Sequence, residues 1–580
     1  MDLLHFLSSV RLFRKLSKPV LEELLNVLEV VHIQGGDVLM RQDDEGDCLY
    51  ILLQGRLKVY QKSLSLEESF LGEIGVGDVV GEIAILSKEK RIATVHAIRD
   101  SSLLKFSQEC FKTFTLKYPD VLFDITKECV TRLLHKNYKV PHGAIRTIAL
   151  APAGRAPLSK DFVIKFAKEL SLRGEVLHLT SSCDRTSPGW LLEQEEKYRY
   201  VIYETDLTMT PWTQIALRQA DRIIFIGEEE ELSSLNVIEE IFFKEKRLVE
   251  GELVLLRKNN FLALSHSNFY LNLRPSVRYH HIRSSSDKDF SRLIRFICGE
   301  AIGLVLSGGG AQGLAHVGLI RAMEELKIPI DYVGGSSVGA LIGGAAAMGM
   351  DFETIRRHCK DTLVPVTSAW DFTLPMLSLK SGERINQGCQ NVYGKDFCIE
   401  DCLINFFCVS TNISHHRIEI HTKGILWEAI RASFSIPALL PPIMNQQGSL
   451  LVDGGIINNL PVDVMRSYIN GGKIIAGSLS PKSHPKYDPL PPAPSGWSLF
   501  AHSLRGHKNK VPHMGDVILS SLMLGSNHHH ICMEEEADYC VRYPSNNIGL
   551  MDFHLFDEII NRGYETALKQ LSEFFPEFLS

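Results

Sequence analysis

Between residues 301 and 350 the chain twice runs an apolar strand into a glycine-rich turn and on into a helix, which restricts the fold sharply. The first pass is strand Ile302 to Leu306, turn Ser307-Gly308-Gly309-Gly310-Ala311-Gln312-Gly313 and helix Leu314 to Leu326. The second is strand Ile330 to Val333, turn Gly334-Gly335-Ser336-Ser337-Val338-Gly339 and helix Ala340 to Met348. Strands alternating with helices at this spacing predict a parallel sheet covered by helices.

Both turns have chemical uses. The second has the strand, sharp turn, helix context of a G-x-S-x-G nucleophile elbow, with Ser337 at its apex and small residues where the backbone is crowded. The first places the backbone N–H groups of Gly308, Gly309 and Gly310 beside that elbow, where they suit a developing oxyanion. The same letters also read as G-x-G-x-x-G from Gly308 to Gly313, with Asp331 about 20 residues on, so a dinucleotide-binding oxidoreductase competes. That alternative gives Ser337 no role. A third element, Leu450-Leu451-Val452-Asp453-Gly454-Gly455, ends an apolar strand in a carboxylate; an isolated Asp-Gly is ordinarily a turn.

At 580 residues the chain exceeds one hydrophobic core, and about three or four domains are expected. A net charge of −7 with 45% hydrophobic and 23% charged residues is ordinary for globular protein and points to no nucleic-acid partner. The twelve cysteines lack metal-ligand or paired spacing and read as reduced core thiols, and no metal is expected. No signal peptide is legible in Met1 to Leu16, and no run of about 18 apolar residues suggests a membrane span. The expectation is a cytoplasmic protein whose lipid contact, if any, is peripheral.

Residues 31 to 107 alternate short β-rich runs with turn signals and predict a small barrel or jelly roll, preceded by a helix from Pro19 to Leu28 and followed by helices Phe111 to Lys117 and Val121 to His135. The next block alternates strands Thr147 to Ala151, Val176 to Thr180, Tyr200 to Glu204, Arg222 to Ile226 and Glu252 to Leu256 with helices Lys160 to Leu172 and Pro211 to Gln219, without a glycine-rich phosphate cradle. Pro481 to Pro494 marks a surface loop, Leu555 to Phe575 a terminal helix, and His528-His529-His530 is read as a loop without ligand spacing.

Gly308-Gly309-Gly310 with Gly313, Gly335-Ser336-Ser337-Val338-Gly339 and Asp453-Gly454-Gly455 resemble the three signature blocks of patatin-like phospholipases. The resemblance implies a Ser/Asp dyad without a catalytic histidine: Ser337 attacks an ester carbonyl, Asp453 takes its proton, Gly308, Gly309 and Gly310 hold the oxyanion, and water releases an acyl-enzyme. Asp453 then needs a raised pKa, which burial would supply. His316, His415, His416 and His421 are read as structural. The family's glycine loop ordinarily carries arginine or lysine where this chain has Gln312, which leaves a weakened or narrowed enzyme open.

Trp190 to Glu195, Thr210 to Gln214, Arg218 to Asp221, Asp289 to Leu293, Ser433 to Ile436 with Pro441-Pro442, Asn458 to Pro461 and Met551 to Phe553 resemble the neuropathy target esterase branch. That implies hydrolysis of lysophosphatidylcholine or phosphatidylcholine at a membrane or micelle surface, with no required cofactor. The apolar run Phe434 to Ile443 could wall the acyl groove, dip into lipid or pack in the core.

Val80-Gly81-Glu82-Ile83-Ala84-Ile85-Leu86 followed by Arg91-Ile92-Ala93-Thr94 resembles the phosphate-binding cassette of cyclic-nucleotide-binding domains, with Lys90 where proline is common. The resemblance implies that Gly81, Glu82, Arg91, Ala93 and Thr94 hold a cyclic nucleotide, a possible allosteric ligand; a β-roll that has lost its ligand and serves for docking is the alternative. The expected fold is multidomain: a cyclic-nucleotide-binding-like β-roll with flanking helices over 1–140, a middle α/β domain over 141–298, an α/β patatin-like hydrolase over 299–480, and an extension over 481–580. A dead hydrolase would leave a nucleotide-dependent scaffold.

Overall fold

The computed structural model describes residues 3–10, 13–14, 16–62, 68–134, 145–183, 187–244, 251–257, 267–275, 277–364, 371–469, 471–479, 495–496, 517, 521–544, 548–549 and 551–575. The Pro481 to Pro494 loop lies outside them. The chain divides into two units, Met1–Asn260 with Phe269–Gly299, and Phe261–Asn268 with Glu300–Ser580.

The first unit opens with a β-roll. Strands Glu29–Ile33, Ser101–Ser107, Cys48–Gln54 and Val79–Val80 form one antiparallel sheet, and Val38–Met40, Thr94–Ala97, Leu57–Lys62 and Glu68–Ile74 form the other. The period-two alternation of a strand explains why both sides of Cys48–Gln54 are apolar. Leu49, Ile51 and Leu53 pack with Phe106, Phe111 and Phe114 under the helices, while Leu52 faces Leu57, Val95 and Leu103 inside the roll.

The middle of this unit is a six-stranded sheet, parallel throughout, in the order Val176–Leu179, Tyr200–Glu204, Thr147–Pro152, Arg222–Glu228, Gly251–Arg257, Arg278–Arg283. Its strands read as continuous apolar runs because both faces are covered: Val201 and Tyr203 join one core, Tyr200 and Ile202 the other. The sixth strand and helices Pro188–Lys197, Val237–Lys244 and Asp287–Cys298 were not predicted. Arg-Tyr-His-His-Ile-Arg does not read as a buried strand; His280 is nevertheless 1% exposed, bonded at 3.0 Å to Glu252 of the neighbouring strand.

An ion network fastens the roll to this sheet. Arg99, at the end of a roll strand, reaches Glu195 at 2.8 Å and Asp221 at 3.0 Å, and Arg56 bridges Glu73 at 3.1 Å, with all five side chains buried. Removing one partner from such a network strands an uncompensated charge, which makes the junction sensitive to substitution.

The second unit holds an eight-stranded sheet. Its main path runs Ile443–Met444, Leu450–Asp453, Asn405–Asn412, Tyr332–Ser336, Ile302–Leu306, Lys473–Ser478, Tyr539–Arg542, with Arg417–His421 also paired to Asn405–Asn412. Ile302–Leu306 is central: the chain crosses to Tyr332–Ser336 on one side and later to Lys473–Ser478 on the other, all in parallel. Such a reversal opens a crevice beyond the carboxyl ends of the strands, where α/β proteins place their sites. Helices Ala315–Glu325 and Val338–Ala347 cover the sheet, and Phe556–Phe574 packs so closely on the former that a Cβ at Gly318 would lie 2.3 Å from the Tyr564 nitrogen.

One expectation fails here. His528-His529-His530 is not a loop but part of helix Leu524–Glu536, with His530 only 1% exposed. Three adjacent polar residues lack an apolar stripe, so periodicity could not reveal the helix. Among the described residues, no helix is long and apolar enough to cross a membrane.

Candidate active site

Ser337 sits between strand Tyr332–Ser336 and helix Val338–Ala347 with φ 54° and ψ −125°, a conformation unfavourable for a residue with a side chain. The turn is tight enough that a Cβ on Gly335 would lie 2.7 Å from the Gly339 backbone, and one on Gly339 would lie 2.2 Å from the Leu306 carbonyl oxygen. Glycine at both places lets the strand turn directly into the helix. The Ser337 N–H donates to Ser433 Oγ at 2.9 Å, and its hydroxyl donates to Asp453 Oδ2 at 2.7 Å.

Sheet register brings that carboxylate in from 116 residues away. Ser336 lies beside Val409, and Ser410 beside Asp453, so the ends of strands Tyr332–Ser336 and Leu450–Asp453 flank one point of Asn405–Asn412. Asp453 is held by its N–H to the Ser435 carbonyl at 2.9 Å and by Thr411 Oγ1 donating to its carbonyl at 2.9 Å. Its Oδ1 accepts the Gly455 N–H at 2.8 Å, leaving Oδ2 aimed at Ser337. Burial pushes the carboxyl up to about 6, although the hydrogen bonds from Ser337 and Gly455 pull it down. A carboxylate near this value is a far better proton acceptor at neutral pH than an ordinary aspartate.

Among the described residues, no histidine is hydrogen-bonded to Ser337 or Asp453. His316 is fully buried against the Ser307 carbonyl at 2.9 Å and pushed down to about 4 by that burial. His421 meets Ser410 Oγ at 2.7 Å, while His415 and His416 lie in the hairpin turn between strands.

The glycine loop lies across the cleft. Gly309 and Gly310 line it with Ser337 and Asp453, in a space of about 440 Å³ walled by Ile436 and Pro437. Gly308 lines it too, but its N–H donates to Asn459, at 3.1 Å to the side-chain oxygen, while Asn459 Nδ2 returns a bond of 3.1 Å to the Gly308 carbonyl. Behind Asn459 stands His530, 3.2 Å from its amide nitrogen and 2.7 Å from Ser478 Oγ. Asn459 and His530 were missed as functional residues. The first stood in the block Asn458 to Pro461, quoted only for its resemblance, and the second belonged to a tract that looked like a loop.

The run Phe434 to Ile443 is divided, with Ile436 and Pro437 on the cleft and Phe434 and Leu440 in the core. Phe434, Ile436 and Leu440 are buried, and Ile436 and Pro437 face the cleft. Arg431 braces it from beneath, donating to Ser435 Oγ at 2.6 Å, Asn386 Oδ1 at 2.8 Å and the Pro441 carbonyl at 3.3 Å. Burial lowers this guanidinium to about 10, so it stays protonated at neutral pH. Gln312 lies in the 3-10 turn Gly310–Leu314, on a second cavity with Tyr543 and Arg562.

In the β-roll, Gly81 takes φ 87° at the start of helix Glu82–Ser87. Arg91 does not project into open space: it is 4% exposed, and it donates to the Gly81 carbonyl at 2.9 Å and the Cys48 carbonyl at 2.7 Å. Asp47 lies 3.5 Å from it. Glu82 and Ala93 are buried, and Thr94 Oγ1 accepts the Gln42 N–H at 3.0 Å. In this arrangement two of the five guanidinium N–H donors of Arg91 are engaged by the chain's own carbonyls.

Comparisons with known proteins agree on the composition of the chain. Residues 304–466 match the patatin-like phospholipase family, 30–118 the cyclic nucleotide-binding domain, and 144–297 the neuropathy target esterase family P-loop like domain. Patatin-like phospholipase domain-containing protein 7 of Rattus norvegicus is 32% identical, over 93% of this chain and 45% of that protein. Neuropathy target esterase sws of Drosophila melanogaster is 30% identical over 95% of this chain and 43% of its own length. Lysophospholipase NTE1 of Mycosarcoma maydis is 30% identical over 95% and 34%. The chain thus spans less than half the length of these curated relatives. With its three domains matched in order, the chain belongs to the patatin-like phospholipases, in the neuropathy target esterase branch.

Proposed function

We propose that the chain hydrolyses carboxylic esters of glycerophospholipids, lysophospholipids such as lysophosphatidylcholine among them, through Ser337 and Asp453. The observation that carries this reading is the 2.7 Å hydrogen bond from Ser337 Oγ to a buried carboxylate raised to about 6. Ser337 Oγ attacks the ester carbonyl as its proton passes to Asp453 Oδ2. Gly309 and Gly310 donate their amides to the oxyanion, while Gly308 fixes the loop through Asn459. The intermediate collapses to an acyl-enzyme, and Asp453 returns the proton to the leaving alcohol. Water, activated by the same carboxylate, then releases the fatty acid. Relatives named as phospholipase and lysophospholipase support a lipid substrate reached at a membrane or micelle surface.

The β-roll reads as a docking module. Arg91 is engaged internally, and Arg56 and Arg99 tie the roll to its neighbouring sheet. A cyclic nucleotide would have to compete for a guanidinium already bonded to two carbonyls.

The test is fatty-acid release from lysophosphatidylcholine micelles by wild type, Ser337→Ala and Asp453→Asn, with and without cyclic nucleotide. Release abolished by Ser337→Ala and reduced to a small residue by Asp453→Asn is expected. Release by Ser337→Ala at the wild-type rate would remove the serine from the mechanism.

A further inference from the structure

Nearly all large apolar side chains of the second unit's sheet and its covering helices are hidden, which makes one short segment conspicuous. Phe372, Leu374, Met376 and Leu377 are 60%, 75%, 85% and 68% exposed, and Leu379 is 46% exposed. Five large apolar side chains thus stand in water within eight residues, Phe-Thr-Leu-Pro-Met-Leu-Ser-Leu, a stretch without a charge. Ordinary surfaces scatter such residues singly, whereas a contiguous group marks a contact.

The segment is a held hairpin. Phe372 pairs with Lys380 in an antiparallel bridge, and the Thr373 N–H donates to the Leu379 carbonyl at 3.0 Å. Met376 N–H donates to the Leu374 carbonyl at 2.7 Å, Ser378 Oγ donates to the Lys380 carbonyl at 2.7 Å, and Pro375 has no N–H to satisfy. Two backbone bonds, Thr373 to Leu379 and Met376 to Leu374, thus close within the hairpin. The polar groups gather at the neck: Ser381 Oγ donates to Asp371 at 2.6 Å, Lys380 lies over the Phe372 ring at 4.9 Å, and exposed Glu383 and Arg384 follow.

The neck is joined to the cleft wall. Leu379 N–H donates to the Ala438 carbonyl at 2.8 Å and Lys380 N–H to the Leu439 carbonyl at 3.0 Å. These acceptors directly follow Ile436 and Pro437, which face Ser337. The apolar surface is thus continuous with the wall of a cleft read here as taking an acyl chain.

We propose that the Phe372–Leu379 hairpin inserts into the acyl layer of a lipid aggregate and docks the mouth of the cleft on it. This rests on the lipid-hydrolase reading for its choice of occupant. A protruding tip without charge suits a fluid apolar phase, whereas a protein partner would have to supply a matching groove.

The test uses the full chain and large unilamellar vesicles of phosphatidylcholine, separated by flotation, with a variant carrying Leu374→Ser, Met376→Ser and Leu377→Ser. All three positions are exposed, and an unchanged melting temperature confirms folding. The bound-to-free ratio is expected to fall by about 1000-fold, at about tenfold for each of the three apolar side chains lost from lipid. Cleavage of a water-soluble short-chain ester is expected to stay at the wild-type rate while release from vesicles falls. Ser337→Ala is expected to float as wild type does, so flotation tests the hairpin even if no ester is cleaved. A variant that floats like wild type, or a wild type that does not float, overturns the proposal. So does a wild-type oligomer that the variant dissociates, which would assign the hairpin to a second copy of the chain.

Discussion

The Ser337 cleft and the Gly81 turn of the β-roll share a construction, in which a strand meets a helix through a residue of positive φ, Ser337 in one and Gly81 in the other. They differ in what their polar groups face. In the cleft, Ser337 and Asp453 bond to each other at the edge of an open space, and the amides and carbonyls around them are tied from behind by Ser433, Ser435, Thr411 and Asn459. In the roll, the Arg91 guanidinium is bonded to the chain's own carbonyls. A charge satisfied internally holds a fold together, and a polar pair that borders an open space stays ready for a third party.

Ser337→Ala should give the largest effect on the cleft side, lowering kcat by at least about 10⁴-fold, in line with loss of a nucleophile. Asn459→Ala leaves the Gly308 amide only the backbone carbonyl at 459, at 3.3 Å, and loosens the loop; a fall in kcat of about 10²-fold is expected, comparable to removal of an oxyanion donor. His530→Ala should act in the same direction but less, about tenfold, with His530→Gln recovering part of it because Gln can still bond Asn459 or Ser478. Equal kcat in the Asn459 and wild-type enzymes would detach the glycine loop from the reaction.

On the roll side, Arg91→Ala should cost about 1–3 kcal/mol of stability in denaturant unfolding with no nucleotide present, since it removes the bonds to a buried carbonyl, that of Cys48, and a half-buried one, that of Gly81. Wild type should show no calorimetric heat with cyclic nucleotide at concentrations saturating a sensor domain. If Arg91→Ala leaves stability untouched and abolishes a measurable nucleotide affinity, the contrast between the two regions collapses.

The smallest effect expected is on stability at the cleft itself. Folding raises the Asp453 pKa to about 6, so the folded protein binds this proton more tightly than the unfolded chain does. Stability therefore falls as pH rises from about 4 to about 6 and is constant above. Asp453→Asn should be more stable than wild type by about 1–3 kcal/mol at pH about 8, with the gain vanishing below pH about 4. Thermal melts at the two pH values read it directly.

Much of this was legible in the chain. Strands Ile302–Leu306 and Tyr200–Glu204 and helix Pro211–Gln219 lie where periodicity puts them, because each is an unbroken apolar or amphipathic run bounded by turn residues. The elbow at Ser337 was legible for a steric reason, since only glycine fits at 335 and 339. What could not be read depends on long-range pairing. Strand Arg278–Arg283 hides its polar His280 against Glu252, Asn459 acts on a loop 151 residues away, and Arg91 folds back onto Cys48. No local pattern shows whether a buried polar residue is aimed at a ligand or at its own backbone.

The most direct test of the central claim, that a buried aspartate alone serves as the base for Ser337, is the pH dependence of kcat/KM for lysophosphatidylcholine hydrolysis by wild type. The account predicts a rise governed by a single ionisation near pH 6 and a plateau above it, with the rising limb absent from the residual activity of Asp453→Asn. A wild-type profile flat through that region, or a rising limb that survives in Asp453→Asn, would contradict it and assign the proton to another group.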